Sequence, residues 1–179
     1  MIKHIAFLRA INVGGKKLIK MDELKKRFET LGFKNVRTYI QSGNVIFQSF
    51  TSDQNVLAKK IENLLQKNLS SVVLVFLRTV EELNAIVKFD PYQKQKFKLE
   101  TKLYITFIKD GLKQKLKPPF LSPKKDVELI GGNNREIYCI TPEIRGRYGF
   151  PNLFIEKEFG VKSTTRNWNT IIKVFNLMQ

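Results

Sequence analysis

The order of apolar patterns in the first half of the chain is the feature that most constrains its fold. Short apolar runs, typical of buried strands, alternate with amphipathic runs at helical spacing in the order strand, helix, strand, strand, helix, strand. The strands are predicted at 5–8, 36–40, 45–48 and 72–77, and the helices at 21–31 and 57–69. This order is that of the ferredoxin-like plait. We therefore predict an α+β fold with a ferredoxin-like α/β plait in the N-terminal half.

The plait topology brings two distant motifs to one end of the predicted sheet. Its first two strands run parallel, and the third lies antiparallel between them. The loop after strand one, within residues 9–17, and the turn after strand two, within residues 39–47, are therefore expected to be neighbours. The candidate ligand-binding residues in these two motifs are Arg9, Asn12, Gly14, Gly15, Lys16, Lys17, Gln41, Ser42 and Asn44.

The first motif has the composition of an anion-binding loop. It ends a strand and precedes a helix, so backbone N–H groups around Gly14 and Gly15 could surround an anion that Arg9, Lys16 and Lys17 neutralise. Its spacing is neither that of the P-loop nor that of the dinucleotide fingerprint. The alternative is a glycine turn that needs positive φ, with the lysines in solvent.

The second motif is compatible with a hairpin turn as well as with a ligand site. A tight hairpin needs residues such as Gly43 and Asn44. A turn does not require a glutamine before it, so Gln41 and Ser42 are predicted to hydrogen-bond a ligand held by the first motif.

The second half of the chain predicts a second plait-like α+β half without an internal sequence repeat. Thr79 and Glu82 form a capping box for a helix to about residue 87. A strand at 103–108, a proline-rich irregular stretch, a hairpin at 127–130 and 136–140, and a helix at 153–159 follow. We predict a ferredoxin-like subdomain at 1–79 and a second α+β subdomain at 80–179, ending in a C-terminal helix.

A third motif, at residues 163–170, lies before that last helix. Ser163, Thr164 or Thr165 is predicted to be the N-cap, and the free N–H groups of the first turn would favour an anion. Arg166 and Asn167 are not explained by capping and are therefore candidate ligand-binding residues. Trp168 is predicted to lie in the core because it shares helical spacing with the apolar residues that follow.

The chain is strongly basic, and the excess charge is concentrated in two segments. Lysine and arginine number 32 against 16 acidic residues, which gives a net charge of +16. Residues 1–50 carry ten basic and three acidic groups, and residues 88–125 carry eleven and three. Such segments attract polyanions if they share a face, or they are simply a solvated surface.

Strand three lacks the aromatic pair of the RNA-recognition motif. Any nucleic-acid binding would therefore be non-specific and directed at the charged backbone of the nucleic acid.

Conventional catalytic and metal-binding sets are absent from the sequence. His4 is the only histidine and Cys139 the only cysteine, and neither has the neighbours of a nucleophile, a general base or a zinc site. We predict no metal and no cofactor, and the sequence leaves open whether the protein is an enzyme. A single cysteine and the lack of an apolar run of membrane length predict a cytoplasmic protein without a membrane partner.

Three ordered motifs resemble one bacterial family. They are FLRAINVGGKK at 7–17, TYIQSGNVIF at 38–47 and TTRNWNT at 164–170. Together they resemble the domain of unknown function 1697 family, and the resemblance covers nearly the whole chain. It implies a small cytoplasmic α+β protein of two plait-like halves, and it implies no activity.

Three functional hypotheses follow from these residues. The first is that the motifs bind, or act on, a small phosphorylated or carboxylated ligand, with Arg166 closing the site. The second is non-specific RNA or other nucleic-acid binding through the basic surface. The third is a structural role, in which the motifs lock the two halves together. The sequence does not determine the oligomeric state.

Overall fold

The structure, a computed structural model, describes residues 1–9, 11, 19–69, 72–97 and 100–179 of the chain. Its internal contacts divide the chain into two compact units. The first unit comprises Met1–Ala85 and Val174–Gln179, and the second comprises Ile86–Lys173. Division into domains at 1–79 and 80–179 stays a prediction. Among the described residues, no helix combines the length and apolar character needed to cross a membrane.

The first unit contains a four-stranded antiparallel sheet with the ferredoxin-like strand order. Its strands lie side by side in the order β2, β3, β1, β4. The elements are β1 (Ile2–Arg9), α1 (Met21–Thr30), β2 (Lys34–Tyr39), β3 (Asn44–Ser49), α2 (Gln54–Leu69) and β4 (Leu74–Thr79). The predicted plait is therefore confirmed, and β3 separates β1 from β2 as expected.

The core of this unit explains why β1 is a continuous apolar run. Residues 5–8 are almost fully buried, so the central strand has no solvent-facing side there. On one face the rings of Phe33 and Phe47 stack with centroids 4.4 Å apart, and Phe28 of α1 meets Phe47 edge-on at 5.6 Å. His4 is also fully buried, 5.4 Å from the Phe47 ring. Burial lowers the pKa of His4, although Glu82, Glu81 and the Thr51 backbone favour its protonated form.

Local capping signals place the helix ends where the sequence predicts them. Gly32, with φ of 84°, follows α1. Thr79 and Glu82 form the reciprocal capping box at the start of α3 (Val80–Phe89). The Thr79 N–H donates to Glu82 Oε2 at 2.7 Å, and the Glu82 N–H donates to Thr79 Oγ1 at 3.2 Å. Gln54 donates to the same Glu82 oxygen, so one carboxylate links the starts of α2 and α3.

The second unit is a plait that lacks its first helix. Its antiparallel sheet has the order β10, β5, β8, β7, β6, and β9 pairs with β8. The elements are β5 (Thr101–Ile108), β6 (Phe120–Leu121), β7 (Glu128–Gly132), β8 (Glu136–Ile144), β9 (Arg147–Tyr148), α4 (Pro151–Phe159) and β10 (Ser163–Asn167), followed by α5 (Trp168–Met178). Strands β5, β7, β8 and β10 take the positions of β1 to β4, but β6 and irregular chain replace the first helix. The predicted second plait-like half is therefore confirmed.

The first five residues of the third motif, Ser163–Asn167, form strand β10, which corrects the predicted helix cap. Thr164 lies opposite Phe107 of β5, and Thr165 lies opposite Thr106, with the two hydroxyl oxygens 2.8 Å apart. The capping contact comes from Asn167, whose side-chain oxygen accepts the Asn169 N–H at 2.9 Å. Threonine is favoured both at N-caps and in strands, and pairing with β5 decides between them. The anion-friendly helix end predicted at Thr164 and Thr165 is therefore wrong.

Candidate functional site

The end of β1 and the turn between β2 and β3 lie together at one end of the first-unit sheet. Phe7 is paired with Asn44, and the Leu8 N–H donates to the Gly43 carbonyl at 2.8 Å. Arg9, the last residue of β1, is half-buried and lies opposite Leu74 of β4. The strand end of the first motif and the turn of the second are therefore neighbours, as the plait topology predicts.

Gly43 allows this turn to pack directly against the chain that leaves β1. Its φ is +73°, and a Cβ at this position would lie 2.5 Å from Ile11 Cγ2 and 2.9 Å from Leu8 Cβ. Both the backbone conformation and the available space therefore require glycine. Ile40 also adopts positive φ, of 50°, so β2 ends at Tyr39, one residue earlier than the pattern predicts.

Asn44 and Ser42 have hydrogen bonds within the turn. Asn44 is fully buried, and its Nδ2 donates to the Tyr39 carbonyl at 3.1 Å and to Ser42 Oγ at 2.9 Å. These bonds close the turn and give the Asn44 amide a structural role. Gln41 and Ser42 are exposed to solvent at the tip of the turn, where a ligand can reach them.

Several predicted site residues lie outside the part of the chain that the structure describes. They are Asn12, Gly14, Gly15, Lys16 and Lys17. The description resumes at Ile19, which is buried, and at Lys20, which precedes α1. The side chain of Lys20, the N-cap residue, makes no capping hydrogen bond to α1, and Asp22 and Glu23 occupy the first turn of this helix. These two carboxylates complement the helix dipole but repel an anion placed directly against them.

The third motif lies in the second unit, where Arg166 is built into β10. Arg166 lies opposite Ile105 and is only 9% exposed. Its Nη1 donates to Thr164 Oγ1 and to the Thr165 carbonyl, both at 2.9 Å. Burial lowers the pKa of Arg166 to about 10. These contacts give Arg166 a structural role within its own unit. That Arg166 closes a ligand site stays a prediction. A ligand contact by Asn167 likewise stays a prediction.

The only histidine and the only cysteine of the sequence, His4 and Cys139, are both buried. Cys139 is fully buried in β8, and burial raises the pKa of its thiol to about 12. His4 is buried against Phe47. Within the described ranges, no group of three or more histidine, cysteine or acidic side chains is arranged to hold a metal ion. At the end of β1 and the β2–β3 turn, the polar side chains that solvent can reach include instead the Arg9 guanidinium, the Gln41 amide and the Ser42 hydroxyl.

One feature of the second unit has no counterpart in the sequence-based predictions. A cleft of about 600 Å³ lies between α4 and the turn at residues 122–127. Its floor depends on Gly149, a residue that precedes the Phe150-Pro151 start of α4. The Gly-Phe-Pro sequence signals a helix start, but the partner of that glycine is more than twenty residues away and has no local signal.

Comparison with known proteins identifies the family but no activity. The family model described as "Protein of unknown function (DUF1697)" matches residues 1–138, so the chain belongs to this family. A conserved bacterial protein from Streptococcus pneumoniae has a similar structure, with a TM-score of 0.72 and 21% sequence identity over 99% of both chains. At this identity the likeness shows a shared fold alone. No curated protein matches the chain.

Proposed function

We propose that this member of the family binds a small phosphorylated or carboxylated ligand where β1 ends beside the β2–β3 turn. The observation that carries the proposal is the 2.8 Å hydrogen bond from the Leu8 N–H to the Gly43 carbonyl. It joins the strand end that carries Arg9 to the turn that carries Gln41 and Ser42. A guanidinium with nearby amide and hydroxyl donors suits the oxygens of phosphate and carboxylate groups.

Each side chain has a distinct role in this proposal. Arg9 supplies the positive charge and two parallel N–H donors. Gln41 and Ser42 orient the ligand from the turn, while Asn44 holds the turn closed. Lys16, Lys17 and the backbone of Gly14 and Gly15, which lie outside the described residues, are expected from the sequence to complete the anion site. A reaction on the bound ligand would rely on these groups, which suit charge stabilisation better than proton transfer.

Replacing Arg9 by alanine should weaken anion binding at least about tenfold, because a hydrogen bond to a charged group contributes about 1.5–3 kcal/mol. The probes are inorganic phosphate, glycerol 3-phosphate and succinate, and binding is measured as the rise in melting temperature. Chloride at equal ionic strength corrects for general salt effects. We expect at least one probe to stabilise the unmodified protein and to lose that effect in Arg9→Ala.

The matched control for this variant is Arg37→Ala. Arg37 is an exposed arginine of the same sheet, but it lies opposite Ile46 rather than at the turn. It should leave the stabilisation by the probe unchanged. Equal losses in the two variants would mean that the anions respond only to the overall positive charge, which contradicts the proposed site.

A second candidate function is non-specific nucleic-acid binding, and the connection between β5 and β7 favours it. Five exposed lysines lie on this connection, namely Lys113, Lys115, Lys117, Lys124 and Lys125. None forms an ion pair with another residue in the described ranges. Unpaired, closely spaced cations attract the phosphates of a nucleic acid without reading its sequence.

Removing three of these lysines should reduce the salt dependence of RNA binding. The variant Lys113→Ala, Lys115→Ala, Lys117→Ala should lower the slope of log K against log salt by about 2, since each phosphate contact to a single strand contributes about 0.7. The measurement is fluorescence anisotropy of a labelled single-stranded RNA at several salt concentrations. Alanine at the exposed residues Lys26, Lys34 and Lys59, which have no ion-pair partner in the described ranges, removes the same charge from the first unit. An equal reduction in that control would contradict a binding surface at residues 113–125.

A further inference from the structure

The cleft in the second unit is lined by α4, by the turn at residues 122–127 and by Gly149. One wall is a face of α4 formed by Leu153, Phe154 and Lys157. The opposite wall is the turn that carries Lys124, and Phe150, the residue before α4, also lines the cleft. The volume, about 600 Å³, lies within the range of about 300–1,000 Å³ that is typical of small-molecule sites.

Gly149 and Ser122 hold the floor and the turn in place. A Cβ on Gly149 would overlap the Asp126 carbonyl and lie 2.6 Å from Val127 Cγ2, so the chain after β9 rests directly on the turn. The Ser122 hydroxyl donates to Asp126 Oδ1 at 2.7 Å and accepts the Val127 N–H at 3.1 Å. The Ser122 N–H donates to the Val127 carbonyl at 2.8 Å. The cleft is therefore formed before any ligand arrives.

The lining of the cleft exposes large apolar side chains to solvent. Phe150 is 62% exposed and Leu153 is 65% exposed, although both line a concave surface. Exposed apolar side chains that are scattered singly need no explanation, but neighbouring ones in a cleft of this size mark a binding site. An apolar chain or ring placed against them would remove this surface from water.

The charges around the cleft favour an anionic group at one end of the ligand. Lys124 and Lys157 are exposed on opposite walls, and neither has an ion-pair partner in the described part of the chain. Two carboxylates also line the cleft. Asp126 is engaged by the Ser122 hydroxyl, and Glu158 lies beside Lys157 on α4. The exposed Lys125 follows Lys124 on the same turn, so the lysines of this turn and of the α4 wall outnumber the two carboxylates that line the cleft.

We propose that this cleft binds a free amphipathic carboxylate, with its apolar part against Phe150 and Leu153 and its carboxylate between Lys124 and Lys157. The site is separate from the anion site proposed for the first unit and does not depend on it. The apolar part supplies most of the affinity through burial, and the two lysines select the sign of the charged end.

Three ten-carbon probes that differ only in their polar end test the proposal. Decanoate, decylammonium and decanol are titrated into the full-length protein by calorimetry, below the concentrations at which they form micelles. We expect decanoate to bind at least about tenfold more tightly than decylammonium, with decanol between them. Alanine at both Lys124 and Lys157 should remove the preference for decanoate over decanol.

Two single substitutions distinguish the apolar wall from a general effect of added charge. Leu153→Asp should weaken decanoate binding at least about tenfold, because it places a carboxylate where the apolar chain would lie. Leu121→Asp is the matched control, since Leu121 is 51% exposed in the same unit and does not line the cleft. Circular dichroism checks that both variants are folded. Absence of decanoate binding, a preference for decylammonium, or equal effects of the two leucine variants would overturn the proposal.

Discussion

Replacing Gly43 by alanine should lower the free energy of unfolding by about 2–5 kcal/mol. A left-handed backbone costs a residue with a Cβ about 1–2 kcal/mol, and overpacking adds about 1–3 kcal/mol. Both costs apply because Gly43 has φ of +73° and its Cβ would lie 2.5 Å from Ile11 Cγ2. Urea unfolding, followed by circular dichroism, measures the change.

Gly32→Ala separates the two costs in this prediction. Gly32 has φ of +84°, but a Cβ there would meet nothing within 4 Å. Gly32→Ala should therefore lower the free energy of unfolding only by the cost of the left-handed backbone, about 1–2 kcal/mol. A larger loss at Gly43 supports the close approach of the turn to Leu8 and Ile11. Equal losses would mean that the turn does not pack against the end of β1.

Replacing Arg166 by alanine should lower the free energy of unfolding by about 3 kcal/mol. The substitution deletes a long buried side chain, and large-to-small changes at buried sites cost about 2–5 kcal/mol. It also removes two hydrogen bonds of 2.9 Å each, which Arg166 Nη1 donates to the Thr164 hydroxyl and to the Thr165 carbonyl. Urea unfolding again gives the change.

Arg147→Ala is the control for this second prediction. Arg147 is exposed on β9 in the same unit, and its replacement should change the free energy of unfolding by less than about 0.5 kcal/mol.

Phosphate binding to folded Arg166→Ala then separates the two roles considered for Arg166. Unchanged binding supports a purely structural role, whereas lost binding supports Arg166 as the residue that closes the site. A stability loss below about 1 kcal/mol would contradict the structural role.

The sequence predicts those parts of the fold that depend on neighbouring residues. The Thr79–Glu82 capping box and the glycine after α1 are local signals, and both mark the helix ends seen in the structure. The order of apolar runs was sufficient to predict the βαββαβ topology. That topology in turn predicted that the end of β1 would meet the β2–β3 turn, which the Leu8–Gly43 hydrogen bond confirms.

The features that the sequence did not predict depend on contacts between distant residues. Residues 163–167 form β10 because they pair with β5, about sixty positions earlier, and no local pattern reveals that partner. Likewise, the cleft exists because Gly149 rests on residues 126 and 127. The sequence left open whether Asn44 serves the turn or a ligand, since hydrogen-bonding residues serve both. Its amide closes the turn, and a ligand contact by Asn44 stays a prediction.

An NMR titration tests the proposed anion site most directly. Amide correlation spectra of the labelled protein are recorded with increasing inorganic phosphate, glycerol 3-phosphate or succinate, against chloride at equal ionic strength. If the anion binds at this end of the sheet, we expect saturable shifts of the Arg9, Gln41 and Ser42 amides with at least one probe, and loss of these shifts in Arg9→Ala. Shifts confined to the lysines at 113–125, or no saturable shift at this end of the sheet with any of the three probes, would contradict the proposed site.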